Sequence, residues 1–197
     1  METQVFYTLH EKQLAFRLRE SVTADPGVEA RFRGLLNTTT GAFDYRGTLK
    51  KFHNTGPLLK DDPNEPLRLG AGVGVSSANG DAPFLTASAR KRVSLLEGPE
   101  LLLTAKARVD FEPSSGRLAR RAGLRLSRRL LNFTQRQDVE LTAGLDVDWP
   151  GAGGQSGQPG QSGRRGGKPN VLPYISVREN NWGVHLRRGL WFVTYDL

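Results

Sequence analysis

Cysteine is absent from this chain of 197 residues, which removes disulfides, thiolate metal sites and a cysteine nucleophile together. Histidine is scarce: His10, His53 and His185 are scattered, so neither a metal centre nor a histidine-based catalytic site is expected. Long apolar runs are missing as well. The longest purely aliphatic stretch is Leu101 to Leu103, against the roughly 18 residues that a membrane-spanning helix needs. The opening METQVFYTLHEKQ has the form of neither a signal nor a transit peptide, since it carries Glu2 and Glu11 and runs straight into a strand pattern. No Ser/His/Asp set and no carboxylate pair at a recognisable spacing is found, so the chain is not expected to be an enzyme and no cofactor is implied. Gly70-x-Gly72-x-Gly74 echoes a nucleotide loop, but no helical pattern follows it and glycines on one strand face explain it better. Acid is in deficit: 20 Asp plus Glu stand against 28 Lys plus Arg, a formal charge of +8 that attracts anions of some kind.

What the chain does have is alternation of period two, the mark of strands with two unlike faces. Leu14, Phe16 and Leu18 alternate with Arg17 and Arg19; Ala30 and Phe32 with Glu29, Arg31 and Arg33; Phe43, Tyr45 and Leu49 with Asp44, Arg46 and Lys50. Leu67 to Val75 sets Arg68 and three glycines opposite its aliphatic residues, and Phe84 to Val93 sets Arg90 and Arg92 opposite Leu85, Ala87 and Ala89. Leu101 to Phe111 presents Lys106, Arg108 and Asp110 on its polar face; the next strand presents Arg121 and Arg125; Val139 to Trp149 presents Glu140, Asp146 and Asp148. Residues 150–169, rich in Gly, Gln and Ser, are expected to form a disordered loop inserted into a single domain spanning 1–197. After it come three closing strands whose polar face includes Arg178, His185 and Arg187.

About twelve antiparallel strands with short connections fit a closed barrel. Two barrels share the pattern: a soluble one with the apolar face inward and a transmembrane one with that face in lipid. Twelve strands leave a lumen too wide for the modest Ala, Val and Leu residues to fill, which favours the transmembrane barrel with a polar, basic interior. Parity then assigns to the pore lining, as anion contacts, Arg17, Arg19, Arg31, Arg33, Arg46, Lys50, Arg68, Arg90, Arg92, Lys106, Arg108, Arg121, Arg125, Arg178 and Arg187. Rings of Arg and Lys are the expected lining of anion and phosphate pores, and the planar arginine fork suits phosphate oxygens. Trp149, Trp182, Trp191 and Tyr195, near strand ends on the apolar face, are expected to anchor at the membrane interface. Expected partners are membrane lipid and small anionic solutes. The alternative is a soluble all-β protein that binds RNA or another polyanion, as the pI near 10.2 would allow; in the channel reading no nucleic acid is involved.

The C-terminal block Pro173-Tyr174-Ile175, Arg178-Glu179-Asn180-Asn181-Trp182, Trp191 and Tyr195-Asp196-Leu197 resembles the end of a known family. So do Leu131-Asn132-Phe133 with Gln137-Asp138-Val139, the run Leu69 to Val75, and the opening Met1-Glu2-Thr3. The family is that of the chloroplast (plastid) outer envelope pore of about 21 kDa, an anion-selective β-barrel channel. The resemblance implies a multi-pass barrel of the plastid outer envelope with rectifying current. It implies passage of inorganic phosphate and phosphorylated C3 metabolites (triose phosphate, 3-phosphoglycerate), with ATP as a modulator. The chain departs from the family in its insertion at 151–169 and in lacking any Phe followed five residues on by Lys, the spacing linked there to nucleotide contact.

Overall fold

The computed structural model describes residues 2–10, 12–24, 27–56, 64–96, 100–134, 137–149 and 168–197, with the backbone alone for 132–134 and 137. The expected disordered insertion at 150–169 lies, apart from Lys168 and Pro169, outside the described residues.

The chain is an all-β closed antiparallel barrel of twelve strands. In order they are β1 (Glu2–Thr8), β2 (Gln13–Ala24), β3 (Val28–Asn37), β4 (Phe43–Asn54), β5 (Glu65–Ser76) and β6 (Phe84–Ser94), then β7 (Leu101–Glu112), β8 (Arg117–Thr134), β9 (Gln137–Trp149), β10 (Asn170–Glu179), β11 (Trp182–Arg187) and β12 (Leu190–Asp196). A single 3-10 turn, Ser77–Asn79, joins β5 to β6. Every strand pairs with its sequence neighbours, and β12 closes on β1 through Val5 opposite Tyr195 and Tyr7 opposite Val193. Closure leaves no sheet edge, the condition for a β structure in a medium that offers no hydrogen bonds.

Burial is inverted relative to a water-soluble domain. Only three described hydrophobic residues are buried, Phe84, Val139 and Leu172, whereas Thr86, Thr142, Thr194, Ser76, Glu29 and Asp110 are. Outward-facing Leu49, Val73, Leu85, Leu124, Leu145 and Ile175 keep between 45% and 56% of their surface exposed. An apolar exterior of this kind, interrupted by outward Lys51, Lys91, Arg120 and Arg128, is compatible with a porin-like barrel. Among the described residues no helix is long and apolar enough to cross a membrane, which says nothing of a chain that crosses with strands.

Glycine acts where neighbouring backbone and aromatic rings come closest. A Cβ at Gly72 would stand 1.9 Å from the Leu49 carbonyl oxygen, so β4 lies on β5 closer than any side chain would allow. Phe52 covers Gly70 and Phe84 covers Gly74 on the lumen side. Pro66, expected to end a loop, instead sits inside β5 at a register shift between Glu65 and Arg68, where a bulge accommodates its missing N–H.

Strand length is the main departure from expectation. Strands of roughly nine to eleven residues are anticipated for a tilted membrane barrel; β8 has 18 and β9 has 13, while β11 has 6 and β1 and β12 have 7 each. β8 runs past the start of β7, pairing beyond Arg128 with β9 alone. The three short strands are contiguous across the closure, so the barrel is tall on one side and low on the other.

Candidate functional site

The lumen is built by the inward set of alternate residues, and it holds two cavities of about 830 and 630 Å³. The smaller opens toward the rim formed by the β3–β4, β5–β6 and β7–β8 turns, being lined by Asp44, Ser77, Asn79, Glu112 and Arg117. The larger extends toward the opposite rim, where both termini lie. Arg33, Arg46, Arg121 and Arg187 line both, so the cavities meet at a girdle of four arginines contributed by β3, β4, β8 and β11.

Each cation expected in the lumen borders one of these spaces. Arg17 and Arg19 lie on the smaller cavity. Arg31, Lys50, Arg68, Arg90 and Arg92 lie on the larger, as do Lys106, Arg108, Arg125 and Arg178. Arg117 and Arg129 also line the lumen. Sequence reasoning missed both, although continuing the parity of Arg121 and Arg125 along β8 reaches them.

The charges are arranged as shared pairs. Glu29 accepts from both Arg31 and Arg68, the latter at 3.1 Å. Asp110 holds Arg46 at 2.9 Å and Arg108 at 3.1 Å. Asp146 holds Lys106 at 3.1 Å and Arg187 at 2.9 Å, and Glu65 lies between Arg90 and Arg92. Two cations on one carboxylate leave a positive remainder. Simple pairs are also present: Arg121 with Asp148 at 3.2 Å, Arg125 with Glu140 at 2.6 Å, and Arg178 with Asp196.

Arg46 reaches Asp110 from β4 to β7 over two intervening strands. It does so because their inward residues there are small, glycine on β5 and Thr86 and Ser88 on β6, and because its guanidinium rests 4.2 Å above the Phe84 ring. Arg68 lies likewise 3.8 Å over Phe52. The Nε of Arg46, Arg90 and Arg92 is buried without a hydrogen-bond partner, so these forks meet the lumen through their terminal nitrogens.

β2 and β3 are different. Arg19 stands directly opposite Arg33, and Arg33 opposite Arg46, a row of three arginines on neighbouring strands. Among the described residues neither Arg19 nor Arg33 has a carboxylate within salt-bridge distance, and Arg17 is held by Gln4 Oε1 at 3.1 Å and by the Phe6 ring 4.6 Å away. Like charges opposed across a sheet cost stability, so this row must be offset by the surrounding fold or by an anion. An aromatic ladder continues beside it, Phe6 on Phe192 at 4.4 Å and Phe192 on His185 at 4.8 Å.

The expected interface aromatics face outward and divide between the rims. Trp149 and Trp191 end and begin their strands on the rim of the smaller cavity, joined there by Phe43 and Phe111. Trp182 and Tyr195 pack together at 4.6 Å on the opposite rim. Among the described residues no cluster of His, Asp or Glu suited to a metal is present. No family model and no curated protein matches this chain.

Proposed function

We propose that this chain is an anion-selective, voltage-rectifying channel that passes inorganic phosphate and phosphorylated C3 compounds passively, triose phosphate and 3-phosphoglycerate among them. The observation that carries the reading is the girdle of Arg33, Arg46, Arg121 and Arg187 where the two lumen cavities meet. A twelve-strand barrel with a largely apolar exterior suits a porin-like role, and cation rings lining the lumen replace part of an anion's hydration shell. Contacts in a wet lumen are individually weak, so a solute enters without being trapped.

Charge is unevenly placed along the axis. Unpaired Arg17 and Arg19 face the smaller cavity, whereas most cations of the larger one share carboxylates. Such asymmetry supports rectification, since an anion meets free arginines sooner from one side than from the other. The resemblance at the C-terminus points to the plastid outer envelope as the membrane, with ATP acting as a competing polyanion in the same lumen. The soluble polyanion-binding alternative is disfavoured by the apolar exterior, which would then stand in water.

Planar-bilayer recording under a salt gradient tests the proposal. The expected result is a reversal potential on the anion side, retained when phosphate replaces chloride. A cation-side reversal potential, or a barrel that inserts without conducting, overturns it.

A further inference from the structure

We propose a second activity: the β11–β12–β1 wall thins the bilayer beside it and gives phospholipids a passive route between the leaflets, separate from conduction through the lumen. The inference rests on the membrane-spanning reading of the barrel. It starts from the outward residues of each strand, which set how much hydrocarbon the wall can face.

On β7 these run from Leu101 to Phe111 without a charge, and on β9 from Val139 to Trp149. At the usual rise and tilt of barrel strands each ladder spans about 25 Å, the height of the apolar band in outer-membrane barrels. On β11 the outward ladder is Trp182, Val184 and Leu186, about 10 Å tall on the same reckoning. Val5, Tyr7 and Leu9 along β1 and just beyond it reach about 10 Å, and Trp191, Val193 and Tyr195 on β12 with Leu197 after it reach about 15 Å.

Tight turns bound β11 at both ends. The β10–β11 turn is Asn180-Asn181 and the β11–β12 turn is Arg188-Gly189, both tight, with positive φ at Asn180, Arg188 and Gly189. Polar groups therefore bound the apolar stretch on both sides. Trp182 with Tyr195 marks one edge and Trp191 the other, the positions that interfacial aromatics occupy.

A closed, fully paired wall cannot stretch, so the lipid must yield: a short apolar stretch is matched by local thinning of the bilayer. Thinning on one side of the barrel alone shortens the path along which a headgroup crosses hydrocarbon. Lipid is the occupant that fits, because the outward face of these strands is aliphatic and aromatic with no charge between the bounding turns.

The test uses the full chain in phosphatidylcholine vesicles carrying a short-chain fluorescent phosphatidylcholine in both leaflets. Albumin extracts label from the outer leaflet and is too large for the lumen, unlike small anionic quenchers, which the proposed pore would admit. The extractable share is expected to rise from the outer-leaflet portion to nearly all of the label. Depth is read independently by brominated lipids, since the chain has only three tryptophans. In variants keeping one each, the other two changed to Phe, Trp182 and Trp191 are both expected to be quenched best by bromines near the headgroup.

Lengthening the wall by a Thr-Val pair after Val184 and a Val-Thr pair after Phe192 preserves face alternation and is expected to slow exchange by about tenfold. An inserted, conducting chain without lipid exchange overturns the inference and leaves the pore standing. So does a seam tryptophan quenched best from the bilayer centre, or a lengthened wall that exchanges lipid as fast as the native one. A chain that fails to insert overturns both readings.

Discussion

The barrel has two unlike walls. The tall wall, β7 to β9, faces outward with two full apolar ladders and inward with clamped charge: Asp110, Glu140, Asp146 and Asp148 each hold cations. The low wall, β11, β12 and β1, has strands of 6 or 7 residues, and beside it on β2 and β3 stand the arginines that no carboxylate holds. Height outside and charge inside thus change together around the circumference. Long strands bring enough inward positions to seat both members of an ion pair. Short ones carry few, and on them the stack of Phe6, Phe192 and His185 stands beside two ion pairs, Arg187 with Asp146 and Asp196 with Arg178, whose partners lie on the longer β9 and β10.

The largest way to break this comparison is to put a charge into each wall from outside. Leu124 sits mid-strand on β8 between Ala105 and Leu145, and Leu124→Arg is expected to cost about 2–4 kcal/mol of unfolding free energy in bilayers. Val184→Arg, in the middle of β11, is expected to cost only about 0–1 kcal/mol, because a low wall keeps every position near the interface. Denaturant titration in vesicles measures both. Equal costs would mean that the two walls meet the same thickness of hydrocarbon.

The next effect is smaller and comes from inside. Asp110 is 8% exposed and bridges Arg46 and Arg108, so Asp110→Asn strands two cations and is expected to destabilise the barrel by about 1–3 kcal/mol. Its counterpart by the low wall, Asp196, is more open and holds Arg178 and Gln4; Asp196→Asn is expected to cost less than about 1 kcal/mol. Both changes should raise anion preference in reversal-potential measurements, since each removes a lumen carboxylate.

Much of the barrel was legible in the residues. Period-two alternation places Leu101 to Phe111 on one face and Lys106, Arg108 and Asp110 on the other with no knowledge of depth, and parity survives small errors of boundary. Depth and length were not legible. Arg120-Arg121 and Arg128-Arg129-Leu130-Leu131 break the alternation at both ends of β8, so the sequence marks only its middle, whereas pairing to β9 carries the strand on to Thr134. The low wall was hidden in plain spacing: Asn181 and Arg188 are turn residues seven apart, too close for a full membrane strand. The pairing of charges could not be read at all. Arg46 and Asp110 are separated by 64 positions and meet only because glycines and small hydroxyl residues clear the floor between them.

The smallest expected effect has the opposite sign and isolates the unclamped arginines. Arg19 and Arg33 face each other across β2 and β3 with no carboxylate within salt-bridge distance among the described residues, so they repel, and changing both to Gln is expected to raise stability by about 0.2–1 kcal/mol. The same double change removes a member of the girdle and one of the free cations of the smaller cavity, so anion preference should fall. That fall should be greatest at low ionic strength, because exposed charges are screened beyond a Debye length of about 10 Å at 0.1 M salt. A variant that gains stability while losing selectivity is the signature of residues kept for what passes between them rather than for the wall they belong to. If stability falls with selectivity, Arg19 and Arg33 support the wall, and the low side of the barrel is as tightly clamped as the tall one.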